Sequence, residues 1–395
     1  MIQGGDIVLE DIIQRKDVSS FIEEIEHNDR YFRKKSLNLF DHSFYVSKEL
    51  ALFIFYEALF KYKLLFENDY LLEEYLGQLR KIYKKFDCFD DIRESIHKVL
   101  CKLLCYQMGL KDSRTKESRD QIITYIYNHA VLNGYYIHGF QSSYVDTILK
   151  EGFTPEKYEN YYSRFVKARE LLEKYHITGV LTKNFKNPKI YYTGDMVMGC
   201  YYSLYAPMFF YKFILNCDYF KRRIRRDFYL KDSQFIVMSH LKRFLNTHMV
   251  KEKDQKILLD LVQDEWNLIH RKEKEISLLC VKKDKFQVPV KSLNYYLNDS
   301  RDLYELIDAL LSSKNNHIDY QESLKPGEFE ILRLPYPYQE KEETPEKIEE
   351  EYEKQEQEVS LEFLNVYGNV SYLLLIGSLF VTIGVLISII MVLRG

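Results

Sequence analysis

Tyr136-Ile137-His138-Gly139-Phe140-Gln141-Ser142-Ser143-Tyr144-Val145-Asp146-Thr147-Ile148-Leu149-Lys150-Glu151-Gly152-Phe153 carries the reading of this chain. Apolar residues around His138 predict a short strand. Gly139 predicts a place where backbone comes close to something, because only glycine lacks the Cβ that would stand in the way. The stretch from Ser143 predicts one or two helical turns, ended by Gly152. Further on, Ile190-Tyr191-Tyr192-Thr193 predicts a second strand, followed by an aromatic-rich helix that contains Gly199 and Tyr202. Glu328-Phe329-Glu330-Ile331-Leu332-Arg333-Leu334-Pro335 predicts a late strand, with Glu328 and Glu330 on one face by the two-residue period of a strand.

The 395 residues can hold two domains of ordinary size. Tyrosine is abundant, at 34 copies against 25 Phe and one Trp. All eight prolines fall after Thr154, and a proline-free first third fits long helices. Residues 1–130 therefore read as a helical domain. Within it, segment 42–66 is apolar on more than one face and reads as a central core helix. Segments 68–86, 90–109 and 118–132 follow as further helices, with Asp90 or Asp91 expected to cap the second. Tyr158 to Tyr175 reads as an additional helix. The six cysteines show no CxxC pair and no signal peptide opens the chain, so they read as reduced thiols in cytosol.

Residues 336–369 read as an acidic stalk. From Glu340 to Glu362 eleven Glu and three Lys give a local charge of −8, so the remainder carries +5 against the total of −3. A body this mildly basic does not argue for nucleic-acid binding by charge alone. Lys221-Arg222-Arg223-Ile224-Arg225-Arg226 is the dense basic run, suited to a pyrophosphate, an acidic substrate, lipid headgroups or plain solvent. Residues 370–393 read as a transmembrane tail anchor, since Tyr372 to Leu393 is uncharged over 22 residues and would span a hydrocarbon layer of about 30 Å. The expected placement is a single-pass membrane protein with its body in the cytoplasm.

His138, the two tyrosines Tyr191 and Tyr202 eleven residues apart, and a late strand-borne Glu resemble the NAD-cleaving ADP-ribosyltransferases. The His-Tyr-Glu version, of the diphtheria-toxin and poly(ADP-ribose) polymerase type, is the most similar. The resemblance covers roughly 200 residues and implies an α+β chain, with an ADP-ribosyltransferase-like sheet domain over 131–335. It implies NAD as co-substrate. His138 would hold the adenine-side ribose, and Gly139 would offer its backbone pair to the nicotinamide amide. Tyr191 and Tyr202 would sandwich the nicotinamide ring, with Thr193 completing the strand motif. The family usually has Thr or Ser after the Gly; here Phe140 stands there. Glu330, or Glu328, would stabilise the oxocarbenium-like ribose. The nicotinamide leaving group is already cationic, so binding strain and a carboxylate do the work in place of a strong acid.

The implied partners are the membrane, through the C-terminal helix, and a macromolecular acceptor, with protein expected and nucleic acid left open. His240 and His248 lack ligand partners at metal spacing, so no metal is expected. There is no P-loop, GxGxxG or GxSxG. A catalytically inactive, membrane-tethered binding or scaffold module with the same fold is the alternative reading.

Overall fold

The computed structural model describes residues 9–27, 48–66, 69–86, 88–111, 115–154, 159–177, 190–205, 234–269, 275–286, 291–311, 317–320 and 323–337. The chain divides into two units, 1–339 and 340–395. The second unit, with the expected membrane span, lies outside the described residues, as do the basic run at 221–226 and the expected stalk beyond Pro337; Tyr336, expected to open that stalk, instead packs on the first unit's core and donates to Glu49 at 2.6 Å. Among the described residues no helix is long and apolar enough to cross a membrane.

The first unit is α+β. Among the described residues, five strands form one antiparallel sheet: β1 (Tyr135–Gln141), β2 (Ile190–Thr193), β3 (Glu275–Lys282), β4 (His317–Tyr320) and β5 (Glu330–Pro335), in the order β4-β2-β1-β3-β5. The helices are α1 (Leu9–Ile13), α2 (Lys16–His27), α3 (Lys48–Leu65), α4 (Leu72–Lys85), α5 (Phe89–Gln107), α6 (Lys116–Ile126), α7 (Val145–Glu151), α8 (Glu159–Lys174), α9 (Met196–Tyr205), α10 (Gln234–Thr247), α11 (Glu252–Ile269), α12 (Leu293–Leu297) and α13 (Leu303–Leu311). α6 runs on into a π-helical turn, Tyr127–Leu132, which delivers the chain to β1.

α3 is the central helix its sequence predicts. Every residue from Leu50 to Tyr62 is buried, Glu57 and Lys61 included. α9 lies between α3 and the sheet, so the helices of the first third and the strands share one continuous core. Ile137, Ile276, Leu278, Cys280, Leu332 and Leu334 face that core from the sheet. The opposite face carries a smaller cluster of Tyr136, Phe140, Tyr192, Leu279, Val281 and Ile318, covered by Val145 and Ile148 of α7 with Phe153, Phe286 and Leu324.

Gly152 ends α7 at φ +80°, as its residue type predicts. Two local expectations are corrected. The cap of α5 is Cys88, and Asp90 and Asp91 sit inside its first turn, where acidic groups favour the helix dipole. The late strand starts at Glu330 rather than Glu328, because Glu328 closes the preceding turn. Its carboxylate accepts from the Lys325 N–H at 2.8 Å and pairs with Lys285 Nζ at 2.6 Å.

Candidate functional site at the middle of the sheet

The register between strands decides which predicted residues can meet. β1 and β3 are matched over seven pairs, from Tyr135↔Lys282 to Gln141↔Ile276. β2 and β4 are matched over four, from Ile190↔Tyr320 to Thr193↔His317. Between β1 and β2 the ladder is one pair, Ile137↔Thr193. The two halves of the sheet are thus joined at a single rung. Beyond it, His138 and Gly139 lie on one side of the junction and Tyr191 and Tyr192 on the other.

His138 lies on the minor-core face. Its ring sits 5.7 Å from that of Tyr192 and 5.0 Å from that of Phe153, centroid to centroid. The aromatic that meets His138 is therefore Tyr192, the neighbour of the predicted Tyr191. Thr193, in register with Ile137, lies on the other face, and the backbone of Tyr191 pairs with that of Asp319.

Gly139 comes close to backbone, as expected, and the backbone belongs to α9. A Cβ at this position would land on the Gly199 carbonyl oxygen and 2.7 Å from the Ser203 nitrogen. Gly199 in turn would place a Cβ 2.8 Å from Ile137 Cγ2, so the two glycines let strand and helix touch. Ser203 fastens the contact. Its buried hydroxyl donates to the Phe140 carbonyl at 2.8 Å and accepts from the Ser277 N–H at 2.7 Å. Phe140 and Ser277 are register partners, so this hydroxyl is stitched into the β1–β3 ladder.

Thr193 and the start of α9 form a cap. Thr193 Oγ1 accepts from the Asp195 N–H at 3.0 Å, and Asp195 Oδ1 accepts from the Met198 N–H at 3.3 Å. Tyr202 lies on α9, half-buried, with its ring 6.1 Å from that of Tyr201. Thr193, Tyr202 and Glu330 therefore belong to the α9 side of the sheet, and His138 to the other.

Glu330 stands in register with Cys280, which pairs with Ile137. β3 intervenes between Glu330 and β1, and two strand spacings are roughly 10 Å. The Glu330 carboxylate hydrogen-bonds the Tyr135 hydroxyl. Burial, and then this carboxylate, push that hydroxyl's pKa well up. Glu328, in its turn beside Lys285 and Lys325, is lowered by those hydrogen bonds. β1 and β3 stand between the strand of Tyr191 and that of Glu330.

Sequence reasoning missed two groups. The first is β4, which places Asp319 opposite Tyr191 and His317 opposite Thr193. The second is a buried ionic chain between the helices and the start of α9. Arg93 reaches Glu57 Oε1 at 2.5 Å and Asp195 Oδ2 at 3.5 Å. Lys61 lies 3.3 Å from Glu57, and its Nζ is 3.3 Å from His97 Nε2. His97 Nδ1 lies 3.1 Å from Asp308 Oδ1 on α13. Burial alone would raise the Glu57 pKa, but Arg93 and Lys61 outweigh it and hold the carboxyl at about 2. Burial lowers Lys61 against the pull of Glu57. Burial, aided by Lys61, lowers His97 to about 4 against the hydrogen bond to Asp308. A neutral His97, with its proton on Nδ1 towards Asp308 and Nε2 accepting from Lys61, satisfies both neighbours. The one sequence signal for this chain was three charged residues, Glu57, Lys61 and Arg93, on apolar helix faces.

Elsewhere, a groove of about 760 Å³ runs along α6 and the π-helical turn, lined in part by Lys116, Asp120, Tyr125, Asn128 and His129. None of its lining residues belongs to the sheet. No protein-family model matches this chain, and no curated protein and no solved structure matches it.

Proposed function

We propose that the chain binds NAD at the junction of β1 and β2 and transfers ADP-ribose to a macromolecule. The observation that carries this reading is the one-rung junction itself. His138-Gly139 and Tyr191-Tyr192, the two motifs picked out by their chemistry, flank the same break in the ladder although some fifty residues separate them. Backbone groups at such a break are the natural readers of a carboxamide, and neighbouring aromatic rings give a flat cationic ring a surface to stack on. Tail anchoring would present this activity at the cytosolic face of a membrane. The acceptor class expected is protein.

A second reading is favoured by two specific contacts. The α9 backbone covers Gly139 on the major-core face, and Glu330 is engaged with Tyr135. Both suit a tethered binding module that keeps the fold without the chemistry.

One experiment separates the two readings. Full-length chain purified in detergent is incubated with NAD labelled in the adenine half, with and without cell lysate. Nicotinamide release with label on a macromolecule is the expected result. NAD binding without nicotinamide release selects the tethered module. Absence of both binding and release rules out an NAD site.

A further inference from the structure

At the end of β3 the chain enters a short turn, and three of the four residues from 282 to 285 are lysines: Lys282, Lys283 and Lys285. Their surroundings differ. Lys282 and Lys285 are exposed, and Lys285 is paired with Glu328 at 2.6 Å. Lys283 is half-buried against the π-helical turn. Its Nζ donates to the Ala130 carbonyl at 3.1 Å, one of the acceptors that a helix end leaves without an internal partner. The same nitrogen lies 5.4 Å from the centre of the buried Tyr136 ring. Among the described residues no carboxylate is paired with it.

An ammonium held in this way loses hydration and gains no opposite charge. Burial pushes the Lys283 pKa down to about 8, although the Tyr136 ring favours the charged form. At about pH 7.5 roughly a quarter of such amines are neutral, against about one in a thousand for an ordinary lysine. Lower basicity returns part of that gain, leaving an advantage in nucleophilic attack on the order of tenfold. A neutral amine keeps two N–H groups. One can stay on the Ala130 carbonyl while the lone pair turns to an incoming carbonyl carbon.

We propose that Lys283 is an acylation site, whose amine takes small acyl groups directly from thioesters. The amine lone pair attacks the thioester carbonyl, so that a C–N bond forms and the C–S bond breaks. The sulfur leaves with the electron pair and takes up the proton that the nitrogen loses, and amine plus thioester gives amide plus thiol. Burial favours this product, because an amide has no charge to desolvate and its N–H still serves the Ala130 carbonyl. Packing against the Tyr136 ring restricts the acyl group to a small one.

The test incubates the full-length chain in detergent, near neutral pH, with the acetyl thioester of N-acetylcysteamine. Acetylation is followed residue by residue by peptide mass spectrometry. Lys282, one residue away and more exposed, is the internal reference. Lys283 should be acetylated at least about tenfold faster than Lys282, and the two rates should converge in concentrated urea, where the burial is gone. A smaller ratio in the folded chain overturns the assignment. So does a ratio that persists in urea, since it would then come from neighbouring sequence alone. Both rates are read on the wild-type chain, so no substitution can mislead by unfolding it. Nicotinamide release plays no part, and the outcome is independent of the transferase reading.

Discussion

At the scale of single residues, Gly139 shows how one motif can carry two meanings. As a ligand contact it would tolerate little; as a packing contact it tolerates nothing larger than hydrogen, because the atoms it meets are backbone and cannot rotate away. Gly139→Ala should destabilise the protein by about 1–3 kcal/mol through forced separation of β1 and α9. That change reads out as a lower midpoint in chemical denaturation at unchanged slope. Gly77, with open space around its missing Cβ, is the matched control and should gain slightly in the middle of α4 when changed to Ala. The sequence announced that Gly139 approaches something closely. It could not say what, since the partner is 60 residues away in sequence and is itself a glycine.

Elements add a second kind of information. Most helices and three strands were legible because apolar periodicity, caps and proline-free runs are local properties. β3 and β4 were not. β3 is buried on both faces, so its sequence shows no alternation to reveal it. β4 is as short as β2 but lacks its unbroken run of strand formers, since His317 and Asp319 interrupt it. Yet β3 is what separates Glu330 from the strands of His138 and Tyr191, so the candidate site was legible by residue type and illegible by pairing. The ionic chain at the start of α9 is another product of elements meeting. Glu57, Arg93 and Asp195 come from α3, α5 and the turn after β2. Removing one member leaves the others charged and buried. Arg93→Met should therefore cost about 3–5 kcal/mol, and adding Glu57→Met to it should recover part of the loss. Denaturant melts of the two single variants and the double variant give the coupling directly.

For the whole molecule the same chain sets the acid limit of stability. His97 is held neutral in the fold with its pKa at about 4, below its ordinary 6.5. Above pH 6.5 folded and unfolded states are both neutral at this ring and it adds no pH dependence. As the pH falls from 6.5 towards 4 the unfolded chain takes up a proton that the folded one refuses, and stability drops by on the order of 3 kcal/mol. Glu57, lowered to about 2, adds its own loss only below its ordinary value, as the pH falls through 4.5 towards 2. Folding free energies measured at intervals from pH 7 to 4 should show this decline. Phe in place of His97 should flatten the part between 6.5 and 4.

A ladder of seven rungs beside one of a single rung gives the sheet a mechanical bias. Strain across the sheet falls first on Ile137 and Thr193, and the Thr193–Asp195 cap with the packing of Tyr192 and Ile318 on Tyr136 and Phe140 holds the strip of β2 and β4 in place. Tyr192 is carried by that strip and His138 by β1, with their rings 5.7 Å apart. The spacing of the two rings therefore rests on one rung and one patch of apolar packing.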